Sequence, residues 1–238
     1  MGAIWALLPV KAPGQAKSRL AAALDEDERA SLARHLTRGV ITALQGVRGI
    51  TGVALLGSDP QARELAREAG CRWLADDPAL GLSGNADAAL VTLAAAGAGT
   101  VIIVPADLPL LGAADVEALL AAHAGGVTVV PAASDGGTNA LAMTPPGAIP
   151  CRYGPDSARL HLEAARQQGI PARYLATAEH PGLPGVWCQA PAPGPPAGFA
   201  RDLDTVDDVR WLCAQPGGGA ARQYLEDSGI CARLRARD

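Results

Sequence analysis

A Rossmann-like α/β domain, with a mainly parallel central sheet flanked by helices, is the fold class this sequence predicts. Three observations lead there. Apolar runs of strand length alternate with longer stretches of helical period, the mark of βαβ winding. At 238 residues the chain can bury a substantial core, and nothing in it forces a second domain. No internal repeat competes with that reading.

The opening MGAIWALLPVK reads as a buried first strand over 4–10: its apolar run is too short and lacks the basic leader of a signal peptide, and Lys11 and Pro13 close it. A helix over 26–45 follows, opened by Asp25 with Glu28 three residues on. Then come a strand over 53–56 and a helix over 60–69 stopped by Gly70. Further strands are expected at 100–105, 127–131, 140–143 and 172–175, and further helices at 85–96, 113–122, 157–168 and 206–213. Residues 176–199 are dense in proline and glycine, which hold neither helix nor strand for long, and are expected to form a surface loop. The segment 214–238 is expected to add a short C-terminal helix after Gly217–Gly219.

Composition narrows the function. A formal net charge of −4 argues against a nucleic-acid or anionic-membrane surface, and no run approaches the ~20 apolar residues of a membrane span. Five cysteines scattered singly suit a reducing cytoplasm better than a disulfide framework.

The densest charge is in ARDLDTVDDV. Asp202 and Asp204 flank Leu203, and in an extended chain residues two apart share a face, so two carboxylates meet one site while Leu203 enters the core. Like charges so placed favour a hard cation, and Mg²⁺ is the natural candidate. Thr205 is expected to cap the next helix, with Asp207 and Asp208 complementing its first turn. Alone, the stretch is equally well a solvated acidic turn. A third carboxylate, Asp107, shifts the balance: VIIVPADLPLL is a strand running into it, and wound sheets gather ligands beyond the carboxyl ends of their strands.

Three loops supply the remaining candidates. LLPVKAPGQAKSRL brings Lys11, Lys17 and Arg19 to a strand end, where cations suit a polyphosphate, although the Walker pattern is missing. SDGGTNAL offers Thr138 and Asn139 beside two glycines, although alone it is also a good hairpin turn. RYGPDSARLHL offers Ser157 at a helix start as a cap or an anion contact. In DDPALGLSGNADAAL, Asn85 is expected at a helix start, where the loop reads a base or ribose through its backbone. No histidine has metal-ligand spacing, and His161, one turn beyond Ser157, is read as a packed or capping residue.

Taken together, PVK…AKSRL, PADLPLL, DGGTNAL, YGPDSARLHLEAA and DLDTVDDV resemble the CofC/FbiD family, the guanylyltransferases of coenzyme F420 biosynthesis, over about residues 4–212. The resemblance implies a single-domain nucleotidyltransferase fold, shared with the molybdenum-cofactor guanylyltransferases. It implies the joining of GTP to a phosphorylated three-carbon acid (2-phospho-L-lactate, phosphoenolpyruvate or 3-phospho-D-glycerate) with release of pyrophosphate. It further implies Asp107, Asp202 and Asp204 as ligands of two Mg²⁺ ions, Thr138 and Ser157 on the acceptor carboxylate, Lys11 and Lys17 on phosphates with Arg19 close by, and a later transferase that takes the unstable product. The acceptor acid stays open, as does homodimerisation, since no stripe marks an interface. GLSGNADAAL departs from the family's compact turn, as though residues were inserted, and the 176–199 loop is longer than usual. Rival readings are a molybdopterin or sugar-phosphate nucleotidyltransferase, which would open on a glycine-rich loop that this chain lacks, a glycosyltransferase using DLD as its DxD, and a non-catalytic nucleotide-binding regulator.

Overall fold

The computed structural model describes residues 2–11, 17–132, 135–175 and 197–236. Seven strands form one sheet: β1 (Ala3–Pro9), β2 (Ile50–Gly57), β3 (Arg72–Ala75), β4 (Ala98–Ile103), β5 (Gly126–Pro131), β6 (Thr138–Thr144) and β7 (Ala172–Tyr174), in the order β3-β2-β1-β4-β6-β5-β7. β6 runs antiparallel to both its neighbours, and the other pairs are parallel. The chain leaves β1 toward β2 and β3, then returns to place β4 on the other side of β1. That reversal opens a crevice at the carboxyl ends of β1 and β4, where open sheets of this kind bind ligands.

The helices are α1 (Glu26–Gln45), α2 (Pro60–Glu68), α3 (Gly81–Ala95), α4 (Ala113–Ala122), α5 (Ser157–Gln167), α6 (Val206–Ala214), α7 (Gly219–Asp227) and α8 (Ile230–Arg235). One apolar layer sets α1 and α4 against one sheet face, and a second sets α3 and α5 against the other. A third cluster joins Leu32 and Leu36 of α1 to Leu203, Leu212, Leu225 and Leu234. This last cluster seats the DLD segment.

Local chemistry explains the elements. Asp25 and Glu28 form a reciprocal capping box on α1, and Arg233 pairs with Glu28 to tie the tail to that cap. A glycine stands at position 52 within β2 where the Trp5 ring lies against the strand; a Cβ there would stand 2.7 Å from ring carbons.

The six expected strands form, with boundaries moved by a few residues. β3 was not anticipated: its four residues alternate only weakly along a sheet edge. α3 begins at Gly81, so Asn85 lies inside the helix and not at its start. The tail holds two helices, not one. The expectation of unpaired cysteines also needs correcting, because Cys213 of α6 and Cys231 of α8 are joined as a disulfide. Their spacing of 18 residues carries no motif, and only the packing of α6 on α8 brings them together. Most of the expected 176–199 loop, together with Pro13 and Gly14, lies outside the described residues. Among the described residues, no helix is long and apolar enough to cross a membrane.

Candidate active site

The site is built from strand ends. β4 delivers Asp107 four residues beyond Ile103, and the Leu203 N–H donates to the Asp107 carbonyl (3.0 Å), which docks the DLD segment alongside. This segment belongs to no strand, yet the alternation expected for it holds: Leu203 is fully buried while Asp202 and Asp204 stay partly open. One carboxylate oxygen from each of Asp107, Asp202 and Asp204 lies within 4.8 Å of the others.

The charges respond to that crowding. Burial first, then the charges of Asp107 and Asp204, push the Asp202 carboxyl up to about 6. Asp204 is also penalised by burial, but the Lys17 ammonium outweighs that and holds it below the ordinary value. Lys17 donates to Asp107 Oδ2 (2.6 Å) and Asp204 Oδ1 (2.9 Å). Burial would lower the Lys17 pKa, but the two facing carboxylates win and raise it. Its backbone is left-handed (φ 59°), a conformation that costs a non-glycine residue roughly 1 kcal/mol and marks a position fixed by its surroundings.

These carboxylates suit a divalent cation. The donors are hard oxygens, an ammonium already sits between two of them, and Asp107 Oδ1 is buried without a hydrogen-bond partner among the described residues. Mg²⁺ fits this donor set.

α6 is anchored beside the cluster. Thr205 caps it by accepting from the Asp208 N–H. Asp208 Oδ2 in turn accepts from the N–H groups of Asp204 (3.1 Å) and Thr205 (2.7 Å). Asp207 pairs with Arg210 at the surface. Both aspartates serve the helix start, as expected.

A cavity of about 850 Å³ runs along this sheet edge and brings together every candidate residue: Lys11, Lys17, Arg19, Asn85, Asp107, Thr138, Asn139, Ser157, Asp202 and Asp204. Lys11 and Arg19 are exposed at its mouth. Thr138 and Ser157 are buried with their hydroxyls 2.8 Å apart. From Asp135 on, SDGGTNAL leads into the antiparallel pairing of β6 with β5, as a hairpin does, and Asp135, Gly137, Thr138 and Asn139 line the cavity.

Two candidates are engaged structurally. The Asn85 amide accepts from the Asp77 N–H and donates to the carbonyls of Asp77 and Gly81, so it holds the loop before α3. The Asn139 amide donates to the Phe199 carbonyl (2.8 Å) and ties the hairpin to the segment leading into DLD. Sequence reasoning missed Asp76 and Tyr153. Both line the cavity, and Asp76 Oδ1 and the Tyr153 hydroxyl are buried with no partner among the described residues. Asp76 directly follows β3, so overlooking that strand hid it; Tyr153 lay in view beside the GPDS motif.

A 3-2-1-4 sheet carrying three convergent aspartates and several cations at its switch point suits a nucleotidyltransferase. The fold agrees with solved structures: a Desulfovibrio desulfuricans G20 protein assigned to the nucleotide-diphospho-sugar transferases superposes with a TM-score of 0.74 at 19% identity, covering 100% of this chain and 99% of that one. A nucleotidyl transferase from Methanothermobacter thermautotrophicus gives 0.54 at 13% identity, covering 94% and 99%. In sequence, residues 4–175 match the family described as "Guanylyl transferase CofC like". A phosphoenolpyruvate guanylyltransferase of Rubrobacter xylanophilus is 37% identical over 90% of this chain and 95% of its own length. A 2-phospho-L-lactate guanylyltransferase of Methanothermobacter thermautotrophicus is 33% identical over 92% and 88%. The chain belongs to the CofC-like guanylyltransferase family.

Proposed function

We propose that this guanylyltransferase transfers GMP from GTP to the phosphate of a small three-carbon acid in coenzyme F420 biosynthesis. The observation that carries the reading is the convergence of Asp107, Asp202 and Asp204 with Lys17 and the Thr138–Ser157 pair in one cavity. Curated relatives named for phosphoenolpyruvate and for 2-phospho-L-lactate both span nearly the whole chain, and they frame the acceptor choice.

An oxygen of the acceptor phosphate attacks the α-phosphorus of GTP, a new P–O–P bond forms, and the bond to the β-phosphate breaks to release pyrophosphate. Both reactants are anionic, so the site must offset their repulsion. Two Mg²⁺ ions held by Asp107, Asp202 and Asp204 would neutralise phosphate oxygens and align them for in-line displacement. Lys17, drawn from its carboxylates to the phosphates, and Arg19 stabilise charge growing on the leaving pyrophosphate. Lys11 completes the phosphate grip. Thr138 and Ser157 hold the acceptor carboxylate. The guanine lies toward β2 and β3, where Asp76 accepts from its N1–H and 2-amino group. Asn85 and Asn139 hold the two walls by the bonds described above. GTP and a phosphorylated acid as reactants support a cytoplasmic enzyme whose product passes to a later transferase of the same pathway.

The test is pyrophosphate release from GTP and Mg²⁺ with phosphoenolpyruvate, 2-phospho-L-lactate or 3-phospho-D-glycerate offered separately, with ATP and CTP as controls. Release with GTP and one acid is expected. Silence with all three acids, together with turnover of a sugar nucleotide, would overturn the reading in favour of a DxD glycosyltransferase.

A further inference from the structure

His161 is buried to 0% exposure one turn into α5, without metal or charge partner, yet both ring nitrogens are engaged. Its Nε2 lies 2.9 Å from the backbone nitrogen of Arg152, which can only donate, so Nε2 is the lone-pair nitrogen. Burial, helped by the Arg152 charge, drives the ring pKa down to about 4, so the ring is neutral near pH 7. A neutral ring that accepts at Nε2 carries its hydrogen on Nδ1. That hydrogen points at Thr138 Oγ1, 3.2 Å away, and Thr138 Oγ1 is 2.8 Å from Ser157 Oγ.

The consequence is a count of hydrogens. Thr138 and Ser157 own two hydroxyl hydrogens, and one is spent between them. If Thr138 instead donated to the histidine, Ser157 would donate to Thr138 and the pair would show only lone pairs to the cavity. Such a face repels an anion. With His161 as donor, one hydroxyl hydrogen is left over, on Ser157 or on Thr138, and the pair presents a donor to a carboxylate.

We propose that His161 is a positioning residue that fixes the polarity of the Thr138–Ser157 pair, making that wall of the cavity a hydrogen-bond donor to the carboxylate of the acceptor acid. The inference rests on the proposed function for the identity of the anion but not for the direction of the relay. Tyr153, edge-on to the imidazole with ring centroids 5.3 Å apart, packs against the ring.

Two measurements decide it. Nitrogen-15 NMR of the histidine-labelled full chain reads the tautomer without any turnover: Nδ1–H at His161 is expected, and an Nε2–H or doubly protonated ring at pH 7 overturns the proposal. Kinetics then read the consequence. Asparagine places its amide nitrogen where Nδ1 lies, whereas glutamine reaches only the Nε2 position. His161→Gln should therefore raise the KM for the acid about tenfold, as for loss of one charge-assisted hydrogen bond, and leave the KM for GTP unchanged. His161→Asn should restore the acid KM to within about threefold of wild type. In a Thr138→Val background, His161→Gln should add nothing further. Equal rises in both KM values, or full additivity with Thr138→Val, would overturn the proposal and mark His161 as packing alone. A wild-type chain that turns over none of the acids would sink the proposed function, while the tautomer would still decide the relay.

Discussion

Asp202 sits in the site under burial and two like charges, which hold its carboxyl at about 6 against an ordinary 3.8. Its folded-state pKa is raised, so in metal-free protein its contribution to stability is fully present below the unfolded value and is lost as pH rises through about 6. A cation repairs that loss and must displace the proton to bind. Mg²⁺ affinity, read by calorimetry without GTP, should be about tenfold weaker at pH 5.0 than at pH 7.5, from one competing proton near pH 6. An affinity flat across that range would refute the assignment of Asp202 as ligand. Asp204 tests the same cluster by substitution. Asp204→Asn should cut pyrophosphate release at least about a hundredfold, while far-UV circular dichroism stays unchanged, because buried Leu203 and its N–H bond to Asp107 still anchor the segment when the Lys17 pair is weakened. A rate near wild type would remove the metal from the mechanism.

At the scale of elements, caps and chemistry share atoms around α6. The Asp208 carboxylate is penalised by burial, but hydrogen bonds from Thr205, Arg201 and the Asp204 backbone outweigh that and hold its pKa low. Asp208→Ala should therefore cost about 1–2 kcal/mol in denaturant unfolding and also weaken Mg²⁺ binding, since the backbone carrying Asp204 loses its tether. Asp207→Ala, which loses an exposed pair with Arg210 and one solvated first-turn charge, should cost under about 0.5 kcal/mol and leave metal binding alone. The two elements that carry the carboxylates were legible in sequence because each has a strong local signal: the apolar run of β4 leading into PADLP, and a Thr205 cap immediately after Asp204. β3 was not legible, since a four-residue edge strand reading Arg-Trp-Leu-Ala has too little alternation to stand out. The direction of the His161 relay was invisible for a different reason. It depends on a backbone N–H nine residues earlier meeting one particular ring nitrogen, a juxtaposition set by the fold and not by spacing.

Across the whole molecule, the order β3-β2-β1-β4-β6 lays the site out along one edge of the sheet. Asp107 follows β4, Thr138 opens the adjacent antiparallel β6, and Asp76 follows β3, three strands from β4 on the other side. At about 4.8 Å per strand step, three steps set Asp76 roughly 14 Å from the end of β4 that carries Asp107, and both line one cavity. On the proposed function the donor nucleotide lies along β1–β3 and the acceptor acid at β6, and Asp76 is then the carboxylate at the nucleoside end, its Oδ1 buried without a partner among the described residues. Guanine offers two adjacent donors, N1–H and its 2-amino group, which a carboxylate can accept together; adenine offers an acceptor at N1 and is refused. An amide at this position would keep one acceptor and turn a donor toward C2, which matches the 2-oxo group of xanthine. Asp76→Asn should thus raise the KM for GTP about tenfold or more, the cost of one lost charge-assisted bond and one clash of donors, and should admit XTP as a donor with the same acid. Pyrophosphate release with the two nucleotides side by side reads the exchange. An unchanged preference for GTP would place the base-reading contact on another wall of the cavity.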